Sequence, residues 1–279
     1  AYTLHDFDHH CFDIYKIISD VLLDDQLVYL NGYGLSQREL FILNLAVLFH
    51  DIGMADVLGA TRENHSLKSA EYIQREYDDS RSVFRQKADL TANELKALKA
   101  IVVAHSNIKD GSVDAANNGL NSPNLKDYPA KNGLIRTKFL AGILRIADEL
   151  DVSSERLGTG EIEQEIKERQ MEYEKTGKKD NTDEWNGYQN SYQHWRRLHL
   201  IAYVKGNKNE EVIELHIDDE YIMRCLDESQ TEKSLAREIV DIYSEIKKKL
   251  DEALEIAFSN SDVSKYVAVK NIKIVTSIE

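Results

Sequence analysis

Cysteine is scarce in this sequence, with only Cys11 and Cys225 among 279 residues. Two cysteines cannot build a disulfide framework, and their separation matches no metal-binding spacing. The sequence therefore favours a reducing compartment, of which the cytoplasm is the simplest. No secretory signal peptide is recognisable, and the start at Ala1 rather than methionine predicts a trimmed chain or a fragment.

Long hydrophobic runs are also lacking. The best apolar run, "LFILNLAVLF", extends from Leu40 to Phe49 and stops at His50. A membrane-spanning helix needs about 20 consecutive apolar residues, so we predict neither a membrane span nor a membrane partner. A hydrophobic content of 42% is nevertheless enough for a substantial core, which predicts a globular protein.

Basic residues are outnumbered by acidic ones, with 35 Lys and Arg against 49 Asp and Glu and a net charge of −14. The excess of acid is present both before and after residue 158. A surface that grips long nucleic acid is usually basic, so this charge weakens a nuclease interpretation without excluding it. Any basic substrate pocket has to be local.

The glycines near the start of the chain do not form a phosphate-binding P-loop.

Hydrophobic periodicity predicts that the first 158 residues are helical almost throughout. Capping boxes open two of the helices, Ser36 with Glu39 and Thr91 with Glu94. The predicted helices span residues 10–23, 36–50, 64–77, 91–105 and 134–152. Between the last two, the polar segment 110–129 shows no periodicity and is predicted to be a long loop.

The pattern changes after Gly160. A charged helix is predicted over residues 161–175, a β-hairpin over 197–204 and 211–217, a long amphipathic helix over 231–258 and a last strand over 266–278. We therefore predict a mainly α fold, with a helical bundle over residues 1–158 and a smaller α+β appendage over 159–279. The terminal strand predicts continuation into a further domain. The appendage has three open roles, as a homodimer interface, a linker to a fused C-terminal domain or a lid.

The histidines are concentrated at the start of the chain. Six of the nine lie in the first 105 residues, namely His5, His9, His10, His50, His65 and His105. Three of these lie at or near predicted helix ends, as does Asp148, and Asp51 follows His50 directly. Imidazoles and carboxylates that converge from facing helices are how a helical bundle builds a metal site. Mixed ligands of this kind suit Mn, Fe, Ni, Zn or Mg, and the lack of nearby thiolates argues against structural zinc.

Five segments occur in a characteristic order, "HDFDHHCFDI", "HDIG", "ENHSLKSAEYI", "VVAHS" and "ILRIADELD". Over residues 1–158 this order resembles the H…HD…D signature of the HD superfamily of metal-dependent phosphohydrolases. The whole arrangement, including "HWRRLHLIAYV", is similar to the HD modules of bacterial conflict and antiviral defence proteins. The resemblance implies an HD-type helical bundle with one or two divalent ions.

The resemblance implies His10, His50, Asp51 and Asp148 as metal ligands. His10 is preferred to His9 because it shares a helical face with Ile14 and Ile17, whereas His9 aligns with Asp13. His9 and His5 are expected around the ligands or on the substrate side. The alternative for His50 and Asp51 is that they only cap a helix end. Asp151 is expected beside the ligands rather than among them. For both aspartates near the end of the fifth helix, the alternative is a bond to Arg145.

His65 and His105 decide how many ions are expected. In two-metal members of the superfamily, additional histidines lie between the HD dipeptide and the last aspartate, which implies a second ion held by His65 and His105 with Asp51 as the bridge. The catalytic set implied is Asp51, His65 and His105. The open alternative is that the two histidines bind phosphate or cap helices. The branch of the superfamily that hydrolyses cyclic dinucleotides has a lysine directly after "HDIG", where this sequence has Met54. This difference argues against a cyclic dinucleotide as the substrate.

Phosphate recognition requires cations near the ligands. The predicted substrate-binding residues are Arg62, Lys68, Arg145 and Arg156, with ordinary surface ion pairs as the alternative. The resemblance implies hydrolysis of a phosphoester in a small phosphorylated nucleotide or signalling nucleotide through a metal-activated water. Two other functions stay open. One is a nuclease acting on single-stranded DNA or RNA, and the other is a non-catalytic nucleotide-sensing or assembly module.

Overall fold

The computed structural model describes residues 10–23, 34–54, 63–109, 111, 113–114, 117–152, 168, 171, 175, 198–227, 232–259, 264 and 267–276. Most of these residues are helical and a small sheet accompanies them, so the prediction of a mainly α fold with α+β elements is confirmed. The helices are α1 (Phe12–Lys16, continued as a π-helix over Ile17–Leu22), α2 (Gln37–Phe49), α3 (His65–Asp78), α4 (Val83–Ala88), α5 (Ala92–Ala104), α6 (Thr137–Leu150), α7 (Asp219–Asp227) and α8 (Glu232–Ile256).

Both predicted capping boxes are present. The Ser36 hydroxyl accepts a hydrogen bond from the backbone N–H of Glu39 at 3.1 Å, and the Glu39 carboxylate accepts one from the Ser36 N–H at 2.9 Å. Thr91 and Glu94 repeat this arrangement at 3.2 and 2.8 Å. These reciprocal bonds satisfy backbone donors that a helix start leaves open, so α2 and α5 begin where the sequence predicts.

The two capping glutamates are buried, and each also binds an arginine of another helix. Arg136, which precedes α6, donates from Nε to Glu39 at 2.7 Å. Arg38 of α2 donates from Nε to Glu94 at 2.8 Å. The starts of α2, α5 and α6 are therefore tied together. The three helices have 13, 13 and 14 residues. At about 1.5 Å per residue, their last turns reach nearly the same level.

Helix α6 forms the centre of the hydrophobic core. Most of its side chains are buried, and it packs against α1, α2, α5 and α8. Gly142 lets the end of α8 approach, because a Cβ at that position would lie 2.6 Å from Ala257 and 2.9 Å from Phe258. One continuous core includes residues from both sides of residue 158. The division into two domains at that residue stays a prediction.

The three-stranded sheet has the order β3–β4–β5, with β3 (Ile201–Asn207), β4 (Val212–Ile217) and β5 (Asn271–Val275). The predicted hairpin is present as the antiparallel pair β3–β4, and β5 runs parallel to β4. The inner face packs on the π-helical part of the first helix, where Gly206 lies so close to Val21 that a Cβ would approach its Cα to 2.8 Å.

Several boundaries differ from the sequence-based expectation. Residues 198–200 were expected to be extended but are helical, and the strand begins at Ile201. Helix α6 begins at Thr137 rather than residue 134, because β2 (Leu134–Ile135) pairs with β1 (Tyr128–Pro129). The hydrophobic periodicity did not predict the helices α4 and α7. Most of the predicted helix 161–175 lies outside the described residues, of which 168, 171 and 175 are helical.

In the described part of the chain, no helix combines the length and the apolar character needed to cross a membrane.

Replacing Glu94 with Gln tests the tie between α2 and α5. Burial raises the pKa of Glu94, but bonds from Arg38 and from the backbone of Thr91 and Lys131 lower it to about 2, below its ordinary 4.5. The stabilisation that the ionised Glu94 carboxylate contributes to the fold is therefore complete above pH 4.5 and is lost as the pH falls through 2. We expect Glu94→Gln to lower the free energy of unfolding by about 1.5–3 kcal/mol at pH 7, and by less as the pH falls below 4.5.

Urea unfolding measures this difference, with Glu71→Gln as the control. Glu71 forms an exposed pair with Lys68, and its replacement should change stability by no more than about 0.5 kcal/mol. Equal effects of the two substitutions would contradict the tie.

Candidate metal centre

Five helix ends meet at one place. His50 and His105 directly follow α2 and α5, and Asp148 lies in the last turn of α6, while His10 lies just before α1 and His65 begins α3. Since α2, α5 and α6 are tied at their starts and have nearly equal lengths, their last residues come together. Asp51 follows His50 at the beginning of a 3-10 turn over Ile52–Met54.

The first group of donor atoms lies around His10 and His50. Their Nε2 atoms are 3.0 Å apart. Asp148 Oδ1 lies 3.5 Å from His10 Nε2 and 3.6 Å from His50 Nε2. Asp51 Oδ2 lies 3.8 and 3.7 Å from the same two nitrogens. Two imidazoles and two carboxylates therefore face a common point.

The second group uses the other oxygen of Asp51. His65 and His105 bring their Nε2 atoms within 3.0 Å of each other. Asp51 Oδ1 lies 3.3 Å from His65 Nε2 and 3.4 Å from His105 Nε2. The Asp51 carboxylate thus offers one oxygen to each group, as a bridging ligand does.

Hydrogen bonds on the far side of the rings orient the imidazoles. His50 Nδ1 is 2.8 Å from the Val47 carbonyl, and His105 Nδ1 is 2.5 Å from the Val102 carbonyl. A carbonyl oxygen can only accept, so each Nδ1 carries a proton and each ring turns its Nε2 inwards. His10 Nδ1 binds the buried Asp151 carboxylate in the same way.

The resulting cluster fits a divalent metal. Its inward imidazole nitrogens and carboxylate oxygens lie 3.0–3.8 Å from one another, so they would repel unless a proton or a metal ion lay between them. Two atoms held about 2.1 Å from one ion lie about 3.0 Å apart at a right angle and about 3.6 Å apart at 120°. The carboxyl ends of three helices also point at this region, and their dipoles favour positive charge.

A model of the HD-CE family matches residues 1–252. This chain belongs to the HD-CE family. The match covers most of the chain and confirms the predicted HD-type domain, whereas the narrower placement among conflict and defence proteins stays a prediction. It also extends well past residue 158, to which the sequence signature is confined. The comparison with curated proteins finds no match, and neither does the comparison with solved structures.

The charges in the HD-CE centre shift one another's pKa values. Burial lowers the pKa of His50, but the negative charges of Asp51 and Asp148 outweigh this effect and raise it to about 9. Burial raises the pKa of Asp148, yet the interaction with His50 holds it well below its usual value. The two carboxylates thus stabilise a positive charge at this place, which is also the requirement for binding a metal.

The tight turn after the HD dipeptide depends on Gly53 and Ser69. The Ser69 hydroxyl donates to the carbonyl of His50 at 2.6 Å and accepts from the N–H of Gly53 at 2.8 Å. A Cβ at Gly53 would lie 2.1 Å from the carbonyl oxygen of His65. Sequence reasoning missed Ser69, although its place one helical turn after His65 was a usable signal.

The predicted site residues separate into three groups. His10, His50, Asp51, His65, His105 and Asp148 come together, and Asp151 lies buried beside His10. The predicted positions His5, His9, Arg62 and Arg156 lie outside the described residues. The roles of all these residues stay predictions.

The two remaining predicted substrate cations point elsewhere. Lys68 forms the exposed ion pair that was its alternative, with Glu71 at 2.8 Å. Arg145 is 1% exposed, and its hydrogen bonds within the described chain go to the Ala104 and His105 carbonyls, Asn107 and Glu252. This arrangement differs both from a surface ion pair and from the expected alternative of a bond to Asp148 or Asp151. It disfavours direct substrate contact by Arg145.

The two donor groups predict different metal stoichiometries for different variants. We expect the wild-type chain to carry two divalent ions, His65→Ala one, and Asp51→Asn fewer than one, because both groups share Asp51. Mass spectrometry of protein purified without chelator measures the ratio. His216→Ala, on the distant sheet, is the control. A ratio unchanged in Asp51→Asn would contradict the bridge.

Asp151 should tune the first group without binding the ion. Loss of a carboxylate behind a ligating histidine typically weakens metal binding ten- to hundredfold. We expect that loss for one ion in Asp151→Asn, measured by competition with a chromophoric chelator. Asp78→Asn is a matched change at an exposed helix end, where Asp78 binds only Gln74 among the interactions seen. It should bind metal as the wild type does.

Proposed function

We propose that this HD-CE chain is a metal-dependent phosphohydrolase that cleaves a phosphoester of a nucleotide or signalling nucleotide. The observation that carries the proposal is the position of Asp51, whose two carboxylate oxygens face separate histidine pairs. Such a bridge holds two ions close together, and paired ions are characteristic of enzymes that hydrolyse phosphoesters.

Bound ions would supply a water of lowered pKa and would stabilise the attacking and leaving oxygens of the phosphoester. The chain itself supplies orientation. Asp151 and the carbonyls of Val47 and Val102 fix three of the four imidazole rings. The side chains of Asp51, His65 and Asp148 are 15%, 12% and 28% exposed, which supports access of substrate from their side.

A small substrate agrees best with the charge of the protein. With a net charge of −14, a long polyanion would be repelled over most of the surface, whereas a mononucleotide needs only a local cation. Since Lys68 and Arg145 are engaged elsewhere, Arg62 and Arg156 remain the cations proposed for the phosphate. A bacterial defence role and a cytoplasmic location belong to the same proposal and rest on the sequence alone.

Hydrolysis of a substrate panel tests the function. Wild-type protein, supplied with Mn²⁺, Ni²⁺, Fe²⁺, Zn²⁺ or Mg²⁺, is incubated with nucleoside mono-, di- and triphosphates, cyclic nucleotides and single-stranded oligonucleotides, and products are separated by chromatography. We expect release of product from a mononucleotide, with a rate at least about hundredfold lower in Asp51→Asn, because a direct ligand should matter more than its outer partners. His216→Ala should match the wild type.

The other outcomes identify the competing functions. Faster cleavage of oligonucleotides than of mononucleotides would overturn the proposal in favour of a nuclease. Saturable nucleotide binding without turnover, with metal present, would overturn it in favour of a sensing module. Equal rates in wild type and Asp51→Asn would indicate a contaminating hydrolase.

A further inference from the structure

A buried arginine lies directly behind the second donor group. Arg145 is in α6, three residues before Asp148, and is only 1% exposed. Its Nη1 donates to the carbonyls of Ala104 and His105, each at 3.2 Å. The last carbonyls of a helix have no partner within that helix. The guanidinium therefore caps the end of α5 at the residue that carries an inward imidazole.

The other end of the guanidinium faces the C-terminal helix. Nη2 donates to Asn107 Oδ1 and to Glu252 Oε2, both at 3.1 Å. Glu252 is in α8, more than a hundred residues away in sequence. A charge buried as deeply as this one requires an opposite charge, and Glu252 is the carboxylate that it contacts in the described chain. The helix thus fixes the guanidinium, and the guanidinium fixes His105.

The segment after His105 is held from a third side. Asn118 accepts from the N–H of Ile108 at 3.1 Å and donates to its carbonyl at 2.7 Å. Gly119, at a positive φ of 53°, packs against the contact between Asn107 and Arg145. A Cβ at this position would lie 2.2 Å from Asn107 Oδ1 and 3.2 Å from Arg145 Nη1. The backbone after His105 is therefore held by Asn118, and the carbonyl of His105 itself is held by the guanidinium of Arg145.

We propose that Arg145 is a positioning residue for His105 and that Glu252 sets its position, so that α8 controls the affinity of the ion held by His65, His105 and Asp51. The inference rests on the proposed function, because it requires that this group binds an ion. Metal sites must be held within about 0.5 Å of their working geometry. A shift of the guanidinium is passed to the carbonyl and then to the ring of His105, whereas the hydrogen bonds of Arg145 in the described chain do not reach His10 or His50.

Glu252→Gln is the principal variant, and Lys249→Gln is its matched control. Lys249 is also in α8 and also pairs with α6, at 3.1 Å from Glu149, but its contact does not include Arg145. Each substitution removes one charge and one ion pair between the same two helices. Arg145→Lys is a second variant, since lysine keeps the charge but cannot reproduce the forked set of bonds.

Binding of Zn²⁺ and Mn²⁺ alone is measured by titration of the full chain, together with the histidine ring signals of the metal-free protein in ¹H–¹³C NMR. We expect Glu252→Gln and Arg145→Lys to weaken the second ion ten- to hundredfold, while the first ion keeps its affinity within about twofold. The His105 ring signal should shift in both variants. Lys249→Gln should leave the ions and the signal unchanged.

Three results would overturn the inference: an unchanged second ion in Glu252→Gln, an equal loss in Lys249→Gln, or equal weakening of both ions. If the wild type binds no ion, the proposed function fails, and so does the control of affinity by α8. The NMR signal then decides the remaining part. A shift of His105 confined to Glu252→Gln and Arg145→Lys supports the positioning role, and no shift overturns it too.

Discussion

The fold depends on two buried carboxylates that each perform two tasks. Glu39 and Glu94 complete the first turns of their own helices and also bind an arginine from a neighbouring helix. Neither task alone would fix the position of one helix along another, because apolar side chains permit sliding. Together they define a common starting level for α2, α5 and α6. The meeting of His50, His105 and Asp148 at the opposite ends follows from that level and from the nearly equal helix lengths.

The centre built at those opposite ends is unfavourable for the protein alone. Acceptors converge, and their repulsion has to be balanced by a proton or a metal and by packing elsewhere. The buried surface of α6 and the ion pairs at the helix starts supply that stability at a distance from the donor cluster. The cluster can therefore hold converging acceptors, while other parts of the chain stabilise the fold.

Local signals explain what the sequence predicted. Capping boxes and apolar spacing predicted the starts of α2 and α5 from a few neighbouring residues, and the H…HD…D order predicted which histidines and aspartates meet. Contacts between distant segments left no such signal. Arg145 is predicted as a substrate cation because it lies close in sequence to Asp148, whereas its partner Glu252 lies 107 positions away and leaves no local signal. The helical residues before β3 and the parallel partner of β4 were likewise set by packing rather than by local preference.

The parallel pairing of β4 and β5 has a mechanical consequence. Neighbouring parallel strands need a crossover connection, and α7 and α8 lie between these two strands in sequence. Helix α8 also packs against β5. Sliding of α8 along α6 would therefore disturb its packing on β5, which a ladder of backbone hydrogen bonds holds against β4. This packing restrains the helix that carries Glu252.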